Sequence, residues 1–306
     1  MTARRVRIAT FNCENLFLRF KFKERFTKKQ IESFVRDGWD VNSTMARIRN
    51  EDEKRITGEA IEETQADIIS LQEVENLDAL KLFNRTYIRD RYPYQLLIDG
   101  NDPRRIDVAV LSRHPFACIK THQFDKASAT SRSFIFSRDC LEVQVDVDGR
   151  PLPLFVNHFK SMIGGREETM ERRRAQAERV VEILTESFGK RPGNEDFVVL
   201  GDLNDYSPSR GLAPLLGQPW LENVVDRLAE AERWTHYWPA QKEYRQLDYV
   251  LLPERLARRN RAAKPSIIRE GQPRRAERYT GPRFRGVGEN HPKASDHCPV
   301  AITLEV

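Results

Sequence analysis

The stretch Leu141–His158, LEVQVDVDGRPLPLFVNH, alternates apolar and polar side chains through Leu141, Val143, Val145 and Val147, breaks at Asp148-Gly149, and resumes with Leu152, Leu154 and Val156. Period-two alternation is what a strand shows when one face is buried, and Asp-Gly between two such runs is a hairpin turn signal. The reading is therefore a pair of antiparallel strands over a core. The second strand ends on a polar residue, His158, where an apolar one would have continued the buried face.

Both flanks extend the pattern. Val6 and Ile8 lead a first strand into FN, and DIISL, Asp67–Leu71, is apolar enough to be a strand buried on both faces. Between them, Glu51–Gln65 sets Ile56, Ala60, Ile61 and Thr64 at helical spacing, and a shorter helix is expected over Leu77–Tyr87. YQLLI and RIDVAVLSR read as strands around the turn-forming DGNDP. Glu167–Phe188 carries Met170, Ala177, Val180, Val181 and Leu184 among charges and stops at Gly189, as an amphipathic helix does. FVVLGD, LDYVLL and CPVAITLEV supply further strands. No repeat or linker interrupts the chain, so residues 1–306 are expected to form a single α/β domain, with helices flanking a pair of central sheets.

Composition narrows the class. With 306 residues and 39% hydrophobic content the chain can bury a full core. No apolar run approaches the roughly 18 residues that signal a membrane span, so membrane insertion is not expected. MTARRVRIATFN begins strand-like alternation by Val6, which leaves no room for the apolar region of a signal peptide. A cytoplasmic protein is expected, unless a leader was removed. Cys13, Cys118, Cys140 and Cys298 lack CxxC spacing, which argues against a zinc site or redox pair and for reduced, mostly buried thiols. The net charge of +5 is small for this length, but its distribution is uneven. Arg258–Lys293 holds eleven Lys/Arg against three Asp/Glu. Leu18–Lys29 mixes Phe20, Phe22 and Phe26 with Arg and Lys, just after Phe17. Both segments are expected as phosphate-facing loops.

What points to chemistry is the repetition of polar residues at the ends of apolar strands. Asn12 follows IATF, Glu73 follows IISLQ, His158 follows LFVN, and Asp202 and Asn204 follow VVLG; Asp248 precedes YVLL and Asp296-His297 precedes CPVAI. A lone carboxylate there is usually a cap or a surface charge, and a lone histidine usually a hydrogen-bonded one. As a set they are hard oxygen donors and imidazoles at strand ends, where sites are built.

In the order TFNCEN, LQEVEN, VNHFKS, GDLND, LDYV, SDHCPV, the chain resembles the endonuclease/exonuclease/phosphatase superfamily over nearly its whole length. GDLN and SDHCPV are the specific motifs. The resemblance implies a four-layer sandwich, two mixed β-sheets packed face to face and flanked by helices, and hydrolysis of phosphoesters with Mg²⁺ or Mn²⁺. It makes Glu73 the main metal carboxylate, with Asn12 and Asp296 beside it, a donor set suited to a hard cation that keeps several waters. It makes His297 the catalytic histidine, Asp248 the carboxylate orienting it, and Asp202 and Asn204 the pair positioning water and phosphate. His158 stands where the deoxyribonuclease I and sphingomyelinase branches have a second histidine, and Asp107 is the candidate for orienting it.

These implications lead to a metal-dependent phosphodiesterase, an endonuclease cutting DNA rather than RNA, with no obligate protein partner. The alternatives are a small-molecule or lipid phosphoesterase, sphingomyelinase- or inositol-phosphatase-like, and a non-catalytic binding module. Lys160 and Arg113 are equally readable as phosphate contacts or rim charges. Arg172, Arg173 and Arg174 read as a solvated helix face, and Trp234, Tyr237 and Trp238 as packing or stacking residues.

Overall fold

The structure, a computed structural model, describes residues 4–22, 27–29, 46–48 and 50–306. Its strands in chain order are β1 (Arg5–Leu16), β2 (Phe20–Phe22), β3 (Ala46–Ile48), β4 (Ile68–Val74), β5 (Tyr94–Leu97), β6 (Asp107–Ser112), β7 (Phe116–Lys120) and β8 (Cys140–Asp146). They continue with β9 (Pro151–His158), β10 (Val198–Asp202), β11 (Leu221–Asn223), β12 (His236–Trp238), β13 (Glu243–Arg245), β14 (Asp248–Pro253), β15 (Ser266–Ile267) and β16 (Val300–Glu305). Two six-stranded sheets result, ordered β15-β16-β1-β4-β6-β5 and β11-β14-β10-β9-β8-β7. β12 and β13 form a separate ribbon, as do β2 and β3. The sheets are mixed: β1 with β4, and β9 with β10, run parallel inside otherwise antiparallel neighbours.

Apolar patterning explains the layering. The inward faces meet through Val6, Ile8, Val108 and Val110 on one sheet and Val143, Leu154, Val156, Leu200 and Val250 on the other. The outer face of the first sheet is covered by α1 (Glu51–Thr64) and α2 (Leu77–Tyr87), whose Ile56, Ile61, Leu80 and Phe83 pack with Phe11, Ile69 and Leu71. The second sheet is covered by α3 (Met170–Phe188) through Ala177, Val180, Ile183 and Leu184, packed with Phe155, Phe197 and Val199. Each such side chain contributes roughly 1.5–3 kcal/mol by leaving water, so the layers rather than single contacts hold the fold. The expected hairpin is present: Asp148 and Gly149 both take positive φ, 52° and 85°, as a type I′ turn requires, and Cys140–Asp146 pairs with Pro151–Asn157. Among the described residues no helix is long and apolar enough to cross a membrane.

Two expectations about basic residues change. Arg173 is fully buried, not solvated, because it lies on the core face of α3 in register with Met170 and Ala177. Its Nε is 3.0 Å from Asp205 Oδ2, and its other nitrogens donate to Thr169 Oγ1 and the Arg166 carbonyl. In the basic segment Arg258–Lys293, Arg269 donates to the Glu232 and Trp234 carbonyls, Arg274 to that of Val287, and Arg283 to those of Gln272, Pro273, Ala276 and Tyr279. An irregular loop leaves many carbonyls without ladder partners, and these guanidiniums satisfy them. Residues 23–26 of the other basic segment, Leu18–Lys29, lie outside the described residues; Arg19 within it pairs with Glu75. The four cysteines are free, and Cys13, Cys140 and Cys298 are buried.

Candidate active site

Strand register builds one half of the site. Asp202, the last residue of β10, pairs with His158 on β9 and with Asp248 on β14, so three polar residues stand in one row across the end of the second sheet. Gly201 makes that row possible: its φ is 136°, and a Cβ there would lie 2.0 Å from the Asn157 carbonyl oxygen. Asp202 is buried and accepts hydrogen bonds from Asn12 Nδ2 (2.9 Å), Asn204 Nδ2 (3.0 Å) and the Asn204 amide (2.8 Å). Burial pushes its carboxyl up to about 6, against the pull of His297 and with the help of Asp248. His158 Nε2 lies 3.7 Å from Asp202 Oδ2 and His297 Nε2 3.8 Å from the same oxygen. Both imidazoles thus face one carboxylate.

Asp248 Oδ2 joins His297 Nδ1 at 2.8 Å and accepts the Thr235 hydroxyl at 2.7 Å. Thr235 Oγ1 in turn accepts the amides of Leu247 and Asp248, which locks the carboxylate against its own strand. Burial alone would lower His297, but Asp248 and Asp202 outweigh it and hold the imidazolium well above the usual histidine range. His158 has the opposite character. Burial first, then the charges of Arg138 and His297, hold it well below that range, so it is neutral.

The other half comes from the first sheet. Asn12 and Glu73 sit where the parallel β1–β4 ladder breaks register, and Glu73 has φ 62°, a left-handed conformation costing about 1–2 kcal/mol for a residue with a Cβ. The kink turns its carboxylate toward the row: Glu73 Oε1 is 3.9 Å from His158 Nε2 and 3.5 Å from Asn12 Nδ2. Asp296 sits in the loop before β16, with Oδ1 4.0 Å from His297 Nε2 and Oδ2 3.7 Å from His236 Nε2. Its neighbour Ser295 donates to the Asn12 carbonyl at 2.7 Å, tying this loop to β1. Burial, and then the charge of Asp296, push the Glu73 carboxyl above its ordinary value.

The residues fit a hard divalent cation at Glu73 and Asp296. Both are partly exposed and present carboxylate oxygens, and an ion beside them would offset the charge of Asp296 that raises Glu73. Asn12 is placed differently from a ligand. Its Oδ1 accepts the Glu14 amide at 3.0 Å while Nδ2 points at Asp202 and Glu73, so it acts as a donor that steadies both carboxylates.

Of the residues singled out in the sequence, Asn12, Glu73, His158, Asp202, Asn204, Asp248, Asp296 and His297 converge. Asp107 stands one layer back. Its Oδ1 accepts the Gly100 amide at 3.0 Å, and His158 Nδ1 is buried without a hydrogen bond, so the expected Asp107–His158 pair is not formed. The backbone carbonyl of Ile106, rather than the Asp107 carboxylate, is the group that pulls the His158 pKa back upward. Sequence reading missed Thr235, whose hydroxyl is the second anchor of Asp248, and His236, whose ring centroid is 4.7 Å from that of His297. It also missed Arg138. THYW, eight residues before LDYV, was the available signal for the first two; nothing in FSRDC marks its arginine as buried.

The sequence profile described as the Endonuclease/Exonuclease/phosphatase family matches residues 7–232, well over half of the chain. The chain belongs to that family. Its fold is that of solved members. It is similar to truncated TDP2 from Caenorhabditis elegans at 14% identity and TM-score 0.61, over 99% of this chain and 98% of that one. A mannosyl-6-phosphatase from Bacteroides thetaiotaomicron is similar at 15% identity and TM-score 0.61, over 98% and 100%. Beta toxin from Staphylococcus aureus is similar at 13% identity and TM-score 0.61, over 97% and 99%. No curated protein matches the sequence. The two-sheet sandwich expected from the motifs is thus the fold of the family, whose members hydrolyse phosphoesters.

Proposed function

We propose that the protein is a divalent-metal-dependent phosphodiesterase that cuts DNA, with His158, Asp202, Asn204, Asp248 and His297 acting on the substrate or on each other, and Glu73 and Asp296 holding the cation. The observation that carries this reading is the shared position of His158 Nε2 and His297 Nε2 around Asp202 Oδ2, at 3.7 and 3.8 Å. Two imidazoles of opposite protonation on one carboxylate can take a proton from water and give one to phosphate or its leaving oxygen. The neutral His158 is suited to accept, and the His297 imidazolium, fixed by Asp248, to donate. Asp202 and the Asn204 amide group hold the water between them. Asn12 keeps Asp202 and Glu73 in place. A cation at Glu73 and Asp296 would supply positive charge to the phosphate oxygens in the transition state.

DNA is the substrate that the sequence motifs favour. The kinds of protein sharing the fold also keep a small-molecule or lipid phosphoester in view. The test runs supercoiled DNA, RNA, a sugar phosphate, sphingomyelin and bis(p-nitrophenyl) phosphate side by side, with Mg²⁺ or Mn²⁺ and with EDTA. Nicked and linear DNA, absent with EDTA, is the expected result; intact DNA alongside phosphate or choline-phosphate release would replace the nuclease reading with the alternative.

A further inference from the structure

Arg138 is 1% exposed, and nothing in the catalytic scheme above uses it. Its Nη1 donates to the Phe159 carbonyl at 3.1 Å, the same oxygen that Asn204 Nδ2 donates to at 3.1 Å, so the guanidinium lies one carbonyl away from the catalytic row. Its Nε is buried with no hydrogen bond, 3.2 Å from Asp102 Oδ2. Asp102 is already gripped by Arg104, through Nε at 3.1 Å and Nη2 at 3.0 Å. Burial would raise Asp102, but Arg104 and Arg138 together hold it below the usual carboxylate range, so one full negative charge is shared by two guanidiniums.

A third cation adjoins them. Lys160 follows His158 by two residues, at most roughly 7 Å of chain, and its Nζ has no ion pair or acceptor among the described residues. Burial, then Arg138, Arg104 and Arg172, lower its pKa, which places all these positive groups within each other's field. Asp107, Glu73 and Asp202 also face Arg138, from the side of the catalytic row. Arg104 is 54% exposed, with one edge on Asp102 and Nη1 open. Three basic side chains thus gather around Asp102 at the edge where His158 stands.

We propose that Arg104, Arg138 and Lys160 form an anion subsite that takes a phosphate group adjacent to the scissile one, as along a nucleic-acid strand. The identity of that strand rests on the nuclease reading above; the charge of the subsite does not. Arg138 supplies a fixed buried charge, while Arg104 and Lys160 supply the N–H donors that reach a second phosphate. A choline-bearing substrate would meet repulsion here, and a monophosphate of a neutral sugar would leave the subsite empty.

The experiment compares thymidine 3′,5′-bisphosphate with the 3′- and 5′-monophosphates as inhibitors of bis(p-nitrophenyl) phosphate hydrolysis, and as calorimetric ligands independent of turnover. For the wild type the bisphosphate is expected to bind about tenfold more tightly than either monophosphate, the size of one charge-assisted contact. Arg104→Gln and Lys160→Gln, both at accessible positions and so tolerant of change, should each bring the difference to within about twofold. Equal affinities in the wild type, or variants that keep the full difference, would overturn the subsite. Plasmid cleavage by the wild type is scored separately. Uncut DNA with the bisphosphate preference intact sinks the nuclease reading alone, and cut DNA without the preference sinks the subsite alone.

Discussion

The half of the site from the second sheet is laced by hydrogen bonds of 2.7–3.0 Å, and the carboxylates of the half from the first sheet stand 3.5–4.0 Å from Asn12 and the histidines. In the former, Asp202 accepts from Asn12 and Asn204, and Asp248 joins His297 and Thr235. In the latter, burial and then the charge of Asp296 raise the Glu73 carboxyl, whereas His236, His297 and Lys293 outweigh burial and hold Asp296 below the usual carboxylate range; Glu73 sits in a strained backbone conformation. The first arrangement sets protonation, and the second offers the carboxylates that the proposed cation would bind. Removing a residue from each half should therefore change different measurable quantities.

The largest effect is expected from His297→Ala, which should lower kcat for DNA by about 10²–10⁴-fold while far-UV circular dichroism stays as in the wild type. An activity within tenfold of wild type would remove His297 from the proton-handling half. Next is Glu73→Gln. Saturating Mn²⁺ should raise the melting temperature of the wild type by roughly 4 °C, the effect of ligand at about a hundred times its Kd on a chain of this size, and this rise should vanish in the variant. An undiminished rise would place the cation elsewhere. Thr235→Val comes third: losing the hydroxyl that bridges Asp248 and two amides should cost about 1–3 kcal/mol in urea unfolding.

The smallest effect, and the sharpest on roles, is Asp107→Asn. Burial pushes Asp107 up to about 6, so its contribution to stability is complete below its unfolded pKa near 3.8 and is lost as pH rises through about 6. The amide variant should match wild-type stability at pH 4 and exceed it by on the order of 1 kcal/mol at pH 8, a figure set below the full shift because solvent and local relaxation screen the ionised carboxylate. Its kcat should stay within about twofold. A large loss of kcat would restore Asp107 as the partner of His158.

What the sequence made legible was whatever depends on strand periodicity and strand ends. The Leu141–His158 hairpin, the helices over Glu51–Thr64 and Leu77–Tyr87, and eight of the nine chosen site residues follow from local pattern and motif, because a polar residue closing an apolar strand has few places to go but the sheet rim. Partners chosen across the chain were not legible. Asp107, at the start of β6, and His158, at the end of β9, belong to different sheets and meet only across the sandwich, where the Ile106 carbonyl rather than the Asp107 carboxylate acts on His158. Arg173 and Arg138 look like surface arginines until Asp205 and Asp102 are brought to them by the fold. The cluster Arg258–Lys293 is conspicuous by composition, but Arg269, Arg274 and Arg283 are occupied by carbonyls. Charge density along a chain reports donors, not whether those donors are free.

The division of labour between the two halves is tested most directly by titrating Mn²⁺ into assays of bis(p-nitrophenyl) phosphate hydrolysis for the wild type, Glu73→Gln and His297→Ala. The account predicts no turnover in EDTA, a half-saturating Mn²⁺ concentration at least tenfold higher for Glu73→Gln, and for His297→Ala a lower kcat at an unaltered half-saturation. Turnover that persists in EDTA, or two variants that shift the same parameter alike, would contradict it.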